Sequence, residues 1–421
     1  MKGMDRMQES IKKHAKQFSS INDLDPLIQQ IGEAKYVLLG ESSHGTSEFY
    51  TLRAELTKKL ITEKGFSIIA VEGDWPACQN INRYIKGYGQ PKQNVKEVLE
   101  AFERWPTWMW ANHEMIGLIE WLKDYNQQSN QNVGFYGIDV YSLWESLDEI
   151  IHYLEKTQSP ELETARKAFS CFETYNRNHE SYAVSAGYLS ENCTNEALQL
   201  LSSIQKNKWQ YQDDFEGSLN MEVNALVTAH AEEYYRIMVR SDSESWNIRD
   251  RHMAEAIEAI INYYGDDAKI IIWEHNTHVG DARATDMKED GMVNVGQLLR
   301  ERHPEKDVYI VGFGTYSGTV IASRDWGLNF QITEVPPAQY GSWEYLMHLS
   351  GEFNQFLLFT DENRYEFDNT IGHRAIGVVY QPEYEHFGNY VPSQMGERYD
   401  AFLFVDQTTA LNPLVLEKII F

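Results

Sequence analysis

The sequence predicts an α/β protein built on a mainly parallel β-sheet flanked by helices, with a helical insertion that forms one wall of an active-site cleft. Three observations lead to this prediction. Short apolar runs rich in β-branched residues recur along the chain, and such runs are typical of strands buried on both faces. A helical pattern separates the first two runs, as in a βαβ unit. Residues 143–264 contain little strand-like sequence, so they are predicted to form several helices.

The predicted elements follow in chain order. Between the first two strand-like runs, apolar residues at helical spacing predict a helix over Ser47–Lys64, and Gly65 is typical of a helix end. The clearest helices of the insertion are Ala225–Val239 and Ile248–Tyr263. The strand-like segments are Tyr36–Gly40, Ser67–Val71, Val133–Ile138, Lys269–Trp273, Val308–Phe313, Phe330–Val335, Gln355–Thr360 and Ala375–Tyr380.

Length and composition indicate one large folded domain. The 421 residues are 42% hydrophobic and 24% charged, which excludes a disordered or low-complexity chain. No repeat, Pro- or Ser-rich linker or break in composition divides the sequence. We therefore expect a single α/β domain over residues 1–421, with residues 143–264 as a helical insertion within it.

The charge balance excludes two classes of partner. A net charge of −26 provides no clustered basic surface for nucleic acid or for an anionic membrane. The start of the chain lacks the apolar stretch of a secretory signal, and no run approaches the ~18 apolar residues of a membrane-spanning helix. We expect a cytoplasmic protein that acts on a small molecule, and these features leave its oligomeric state open.

The cysteine count concerns the redox state. Cys78, Cys171 and Cys193 cannot all pair within one chain, and none belongs to a CxxC motif. Because disulfides are rare in the cytosol, we expect three free thiols.

Acidic and imidazole side chains follow four of the predicted strands. In an open parallel sheet, ligands bind beyond the carboxyl ends of the strands. Any one of these residues could be a surface or capping group, but four strands that deliver such groups to one edge predict a functional site. The segments concerned are Gly40–Gly45, Glu72–Asp74, Asp139 and Glu274–His278.

His44 is the candidate general base at this edge. It lies on a glycine-flanked turn between a strand and a helix, and an imidazole needs little pKa adjustment to act near neutral pH. Glu41 or Glu72 could orient the ring or hold a water. Arg53, on the following helix, or a second histidine could stabilise an oxyanion. An exposed ion pair is the alternative role for Arg53.

Standard catalytic motifs are absent. The sequence lacks the G-x-S-x-G elbow of serine hydrolases, a Walker A loop, a G-x-G-x-x-G turn after a strand, and HExxH. Water activated by His44, without a cofactor, is therefore the leading mechanism. A metal-dependent hydrolase is the alternative, because zinc or manganese could be bound by Glu41, His44, Glu72, His275 and His278.

At these residues the chain resembles the erythromycin esterase family. Together the matching motifs are specific, whereas GExxHG alone would not be. They are Gly40–Gly45, Arg53, Val71–Trp75, Arg249–Met253 and Trp273–His278. The resemblance implies an α/β core with a helical insertion, a cleft between them, and hydrolysis of a macrolide lactone, with a role in antibiotic resistance. It also implies that the histidine at position 44 activates water.

Candidate site residues follow from the strand-end pattern and the resemblance together. The catalytic candidates are His44, Glu41, Glu72, Arg53 and His275. The substrate-binding candidates are His278, Asp74, Trp105, Trp108, Trp110 and Arg249. The three tryptophans are included because aromatic faces bury apolar or sugar surfaces well. Their patch also contains Trp121, and a core position for two of these four tryptophans is the alternative.

The resemblance leaves a non-catalytic alternative. Some relatives in this family are labelled succinoglycan biosynthesis proteins, so a protein of polysaccharide biosynthesis that keeps the cleft but has lost turnover must be weighed. A pure binding protein has no need of so many titratable groups at one edge. The sequence therefore favours an ester hydrolase.

Overall fold

A computed structural model describes residues 2–89, 93–129, 131–211 and 215–414. The described residues form a nine-stranded sheet and a separate two-stranded one. The strands are β1 (Lys16–Gln17), β2 (Tyr36–Leu39), β3 (Ile68–Asp74), β4 (Gly134–Asp139), β5 (Ile270–Trp273), β6 (Val308–Ser323), β7 (Phe330–Val335), β8 (Gln355–Leu358), β9 (Thr370–Arg374), β10 (Tyr390–Gln394) and β11 (Ala401–Thr408).

Helices flank the sheet and fill the long connections between strands. They are α1 (Lys2–His14), α2 (Asp25–Ile31), α3 (Ser47–Lys64), α4 (Trp75–Ile85), α5 (Val95–Leu99), α6 (His113–Gln128), α7 (Leu143–Thr157), α8 (Leu162–Glu173), α9 (His179–Val184), α10 (Thr194–Asn207), α11 (Gly217–Met238), α12 (Asp242–Tyr264), α13 (Asn276–Val279), α14 (Val295–Arg302), α15 (Trp343–Ser350), α16 (Glu385–Gly388) and α17 (Met395–Arg398).

The large sheet is mainly parallel, as predicted. Its order is β1-β8-β11-β6-β2-β5-β3-β4, and every pair from β11 to β4 is parallel. The antiparallel pairs are β1 with β8, β8 with β11, and β7 with β6. The carboxyl ends of β2, β3, β4 and β5 therefore lie at one edge of the sheet.

Burial on both faces explains why the central strands are nearly continuous in apolar residues. In β2, Val37 and Leu39 belong to one apolar cluster, whereas Tyr36 and Leu38 belong to a second cluster that includes residues of α12 and α14. All four side chains are buried. Because successive side chains of a strand point to opposite faces, helices cover both faces of this sheet.

Most predicted elements are confirmed, and two regions differ. The helix Ser47–Lys64 and the strand Phe330–Val335 have the predicted bounds, and β6 continues to Ser323. The prediction of a strand over Ala375–Tyr380 is wrong, because this segment makes only isolated bridges to Ser43 and Ser323. The strand β11 was not predicted, although it is a central member of the sheet.

The segment 143–264 is helical and contains α7 to α12. Its helices share an apolar cluster of their own, in which Leu147, Phe172, Leu200 and Ala225 are buried. The last of these helices, α12, packs against α14 and β4, which brings its first half to the carboxyl edge of the sheet.

A disulfide corrects the prediction of three free thiols. Cys171 on α8 is bonded to Cys193, which precedes α10, and their Cα atoms are 5.9 Å apart. An odd number of cysteines leaves one over but does not prevent one pair, and here the packing of α8 against α10 brings two together. Cys78 on α4 is free and buried.

Candidate active site

Two glycines allow the turn that carries His44 to approach its neighbours closely. A Cβ atom at Gly40 would clash with the side chain of Asn276, and one at Gly45 would clash with the backbone of Ile321 on β6. The Gly45 carbonyl accepts a hydrogen bond from the Ile321 N–H at 3.0 Å. The glycine-flanked turn is therefore wedged between β6 and the end of β5.

His44, Glu41 and Arg53 form a hydrogen-bonded group, the His44 arm. The Nδ1 atom of His44 lies 3.0 Å from one Glu41 oxygen, and Arg53 donates to the other Glu41 oxygen at 2.5 Å. A carboxylate only accepts hydrogen bonds, so Nδ1 donates and the neutral ring keeps its lone pair on Nε2. The arm therefore fixes both the orientation and the tautomer of His44.

Arg53 is enclosed by aromatic rings on α3 and β5. Its side chain is buried, and its guanidinium carbon lies 4.7 Å from the ring centroids of both Tyr50 and Trp273. This surrounding holds the cation against Glu41, so the structure places Arg53 in contact with Glu41 and excludes the exposed ion pair that was the alternative.

The environment of His44 makes the ring more basic than usual. Burial alone would lower the pKa of His44, but the charge of Glu72 and the hydrogen bond and charge of Glu41 outweigh it and raise the pKa. The Nε2 atom lies 4.0 Å from a Glu72 oxygen, which is too long for a hydrogen bond. The basic nitrogen is thus held near an acid without being bonded to it.

Glu72 on β3 is an ionised carboxylate at the centre of the site. One oxygen accepts from Arg249 at 2.7 Å, and the other accepts from the backbone N–H of His275 at 2.8 Å. Burial would raise the pKa of Glu72, but electrostatic interactions with His278, His44 and Arg249, together with the hydrogen bond from the His275 N–H, lower it strongly. Glu72 therefore carries a fixed negative charge beside His44.

Arg249 on α12 binds the strand ends together in a group that we call the Arg249 network: Arg249, Glu72, Asp139, His278 and Asp250. Its Nε donates to one Asp139 oxygen at 2.9 Å, and its Nη2 donates to the other at 2.7 Å and to Glu72. Since α12 belongs to the segment 143–264, this helical segment contributes Arg249 and Asp250 to the candidate site.

His278 is saturated with hydrogen bonds. Arg249 has only donors, so its Nη1, 3.0 Å away, donates to Nε2 of His278. The other ring nitrogen, Nδ1, then donates to Asp250 at 2.9 Å. The ring also stacks on Trp246 with a centroid separation of 4.5 Å. The predicted substrate-binding residue His278 is thus held on both nitrogens and on one face.

His275 differs sharply from His278. Its Nδ1 accepts from the backbone N–H of Thr277 at 3.3 Å, so the proton of the neutral ring is on Nε2. That Nε2 is buried and makes no hydrogen bond of ordinary geometry with the described residues, although the Ser42 carbonyl lies close enough to the ring to stabilise its protonated form. Burial and the neighbouring His44 lower the pKa of His275, against the raising effect of Glu72 and the Ser42 carbonyl. The rings of His275 and His44 lie 4.9 Å apart, so a neutral N–H donor stands beside the candidate base.

Three acids near these residues were assigned no role from the sequence. Asp139 and Asp250 belong to the Arg249 network. Glu274 lies near Asp250 and Glu72, and both of its carboxyl oxygens are buried and without hydrogen-bond partners in the described residues. Burial and the charges of Asp250 and Glu72 raise the pKa of Glu274 well above its usual value. A signal was available, since Asp139 and Glu274 follow predicted strands and Asp250 follows Arg249.

Of the three tryptophans predicted to bind substrate, Trp105 remains as a candidate. Trp108 and Trp110 belong to an apolar core cluster, and Trp110 donates to the Glu72 backbone carbonyl at 3.1 Å. Of these three tryptophans, Trp105 alone is partly exposed. Asp74, at the end of β3, is engaged by Arg104, whose Nε lies 2.9 Å from one carboxylate oxygen.

The donor atoms do not fit a resident metal ion. Both oxygens of Glu72 and both nitrogens of His278 already have partners, and the Arg249 cation lies among the carboxylates. Among the described residues, no three His, Cys, Asp or Glu side chains are arranged to hold a metal. The arrangement instead provides an oriented imidazole base, a neutral N–H donor and a fixed carboxylate.

Known proteins are similar in sequence to this chain. The chain is 23% identical to the putative hydrolase YbfO of Bacillus subtilis (strain 168), over 95% of this chain and 90% of that protein. It is 25% identical to erythromycin esterase type II of Escherichia coli, over 80% of this chain and 84% of that protein.

None of the helices in the described ranges is long and apolar enough to cross a membrane.

Solved structures show the same architecture. The crystal structure of a succinoglycan biosynthesis protein matches with a TM-score of 0.79 and 21% identity, over 98% of this chain and 99% of that one. An open conformation of a mutant of the erythromycin esterase EreC matches with a TM-score of 0.67 and 18% identity, over 95% and 97%. The sequence model of the erythromycin esterase family matches residues 61–408, so the chain belongs to the erythromycin esterase family.

Proposed function

We propose that this protein is a carboxylic ester hydrolase in which His44 activates water for attack on an ester or lactone carbonyl. The observation that carries the proposal is the state of His44. Its Nδ1–H is bonded to Glu41, its pKa is raised, and its Nε2 makes no hydrogen bond among the described residues. This is the arrangement of a general base with a free lone pair.

The proposed reaction begins with proton transfer from water to Nε2 of His44 as the water oxygen attacks the carbonyl carbon. The resulting oxyanion accepts a hydrogen bond from the Nε2–H of His275, which makes no other hydrogen bond of ordinary geometry with the described residues. His44 then returns the proton to the leaving alkoxide. The products are a carboxylic acid and an alcohol, or one ring-opened hydroxy acid from a lactone.

Glu41 and Arg53 have positioning roles in this mechanism. Glu41 holds the tautomer of His44 and stabilises the imidazolium that forms, while Arg53 holds Glu41 in place. Of the two oxyanion donors considered from the sequence, His275 is favoured because Arg53 is bonded to Glu41 and enclosed by two rings.

A covalent serine mechanism has no support in the geometry. Among the hydrogen bonds of the described residues, none joins His44 to a hydroxyl or thiol. Ser43, beside His44, is hydrogen-bonded to Thr46 instead. A nucleophile and its base must lie within hydrogen-bond reach, so water is the favoured nucleophile.

We propose a macrolide lactone as the first substrate class to test, with antibiotic inactivation as the biological role. Family membership and the similarity to erythromycin esterase type II support this choice. Purified protein is incubated with erythromycin and with p-nitrophenyl acetate, and the products are identified by mass spectrometry. A product with the mass of one added water supports the proposal. No hydrolysis of either compound, or an acyl group trapped on a serine, contradicts it.

A further inference from the structure

Two tryptophans from different loops meet at the surface. The indole rings of Trp105 and Trp326 lie 4.6 Å apart at an angle of 59°. Trp326 is 60% exposed, and its neighbour Leu328 is 54% exposed. The Nε1–H of Trp105 donates to the Leu328 carbonyl at 3.0 Å, which joins the two loops. Adjacent exposed apolar groups of this size are typical of binding sites.

Both loops are tied to the candidate active site. Arg104, next to Trp105, bonds Asp74, which ends the same strand that carries Glu72. The loop of Trp326 connects β6 to β7, and Ile321 near the end of β6 bonds Gly45, the neighbour of His44. The pair thus joins a loop tethered at the end of β3 to a loop that begins beside the turn of His44.

The loop presents Trp326 in a fixed conformation. The Asp325 side chain accepts from the Trp326 N–H at 2.8 Å, and the Leu328 N–H bonds the Asp325 carbonyl at 3.3 Å. Gly327 has a φ of 73°, a left-handed conformation that glycine adopts without strain. The indole is therefore held out by an ordered turn, so a ligand that contacts it does not have to order the loop first.

We propose that Trp105 and Trp326 form a specificity subsite that binds the C–H-rich face of a ring in the substrate. Both charged groups of this loop are engaged within the protein, because Arg324 is paired with Glu383 and the Asp325 carboxylate accepts from the Trp326 N–H. The groups that this surface offers to a ligand are therefore the two indole rings, and indole faces bind apolar or sugar-ring surfaces. The inference rests on the proposed function for its ligand, a macrocyclic lactone, and adds the residues that distinguish such a substrate from a small ester.

The test separates binding from turnover. Equilibrium binding of erythromycin is measured by calorimetry on a His44→Gln variant, which binds without cleaving, and on the same variant with Trp326→Ala. We expect an increase in Kd of about 2- to 13-fold, since an aromatic contact contributes about 0.5–1.5 kcal/mol. Trp326→Phe should retain most of the affinity. In the otherwise unchanged enzyme, Trp326→Ala should raise KM for erythromycin and leave hydrolysis of p-nitrophenyl acetate unchanged.

Trp209 provides the matched control, because it is 79% exposed and lies in the helical insertion, away from both loops. Trp209→Ala should leave the Kd unchanged. An unchanged Kd in Trp326→Ala, an equal loss in Trp209→Ala, no binding at all, or a parallel loss of small-ester hydrolysis overturns the subsite. Erythromycin that binds through Trp326, with no hydrolysis of erythromycin or of p-nitrophenyl acetate by the unmodified protein, contradicts the proposed function and leaves the subsite standing.

Discussion

The His44 arm and the Arg249 network contain the same kinds of side chain and lie at the same edge of the sheet, but they differ in saturation. Each pairs a histidine with carboxylates and an arginine. In the network, both nitrogens of His278 are bonded. In the arm, His44 is bonded through Nδ1 alone. Residue type therefore does not identify the base, whereas an unbonded, basic nitrogen does.

His275 and His278, which are spaced as an HxxH pair, show the same contrast within four residues. His278 is fixed on both nitrogens, whereas the Nε2–H of His275 makes no hydrogen bond of ordinary geometry with the described residues. The difference arises because α13 begins immediately after His275, so the ring caps the helix through Nδ1 and leaves Nε2 free. This contrast supports the proposed chemical role for His275 and favours a positioning role for His278.

The largest expected effect is the loss of turnover in His44→Gln. Removal of a positioned general base typically costs about 10²–10⁴-fold in rate, so kcat for erythromycin should fall by that order. Stability should fall by about 1–3 kcal/mol, because His44 is buried and its hydrogen bond to Glu41 is lost or weakened. Steady-state kinetics and thermal unfolding check both. If His44→Gln stays active and His275→Ala is inactive, the base is His275 or His278. The proposed difference between the His44 arm and the Arg249 network would then be wrong.

The next effect concerns stability and the opposite side of the site. Arg249→Met leaves Glu72 and Asp139 buried without their cation, and loss of one partner of a buried ion pair costs about 3–5 kcal/mol. Urea unfolding measures the free energy. The control is Arg166→Met, because Arg166 is exposed and paired with Glu155, and its loss should cost less than about 1 kcal/mol. Equal losses in the two variants would show that the network does not hold the site together.

The smallest effect is a shift of the pH profile in Glu41→Gln. The base form of His44 is neutral, so kcat/KM should rise with pH through the pKa of His44, which lies above its usual value of 6.5. Glu41→Gln removes one of the groups that raise this pKa, so the ascending limb should move to lower pH while the maximum rate falls. A limb that does not move would exclude coupling between Glu41 and the base.

The sequence predicts the central strands well because burial on both faces leaves a strong apolar signal. The segment Ala375–Tyr380 gives the same signal without being a strand, since Ile376 and Tyr380 are buried by isolated bridges and local packing. Composition alone does not distinguish these two situations. In contrast, β11 carries the buried run Ala401–Val405, so its omission reflects a signal that was present and not used.

The strand-end pattern predicts which residues gather but not which are free to react. Arg249 is separated by 177 residues from Glu72 and by 110 from Asp139, so their contacts depend on how α12 packs against the sheet. The same packing saturates His278. The apolar character of Trp108 and Trp110 is consistent with burial in the core and with contact to a ligand. The structure shows that both side chains are buried in the core.

The central claim, that His44 holds a free and basic Nε2, is tested most directly by nitrogen NMR of the imidazole rings across a pH titration, with His44→Gln used to assign the His44 signals. We predict that the neutral His44 ring carries its proton on Nδ1, that Nε2 is unprotonated, and that the ring titrates above the usual 6.5. A neutral ring protonated on Nε2, or a pKa below 6.5, would contradict the account.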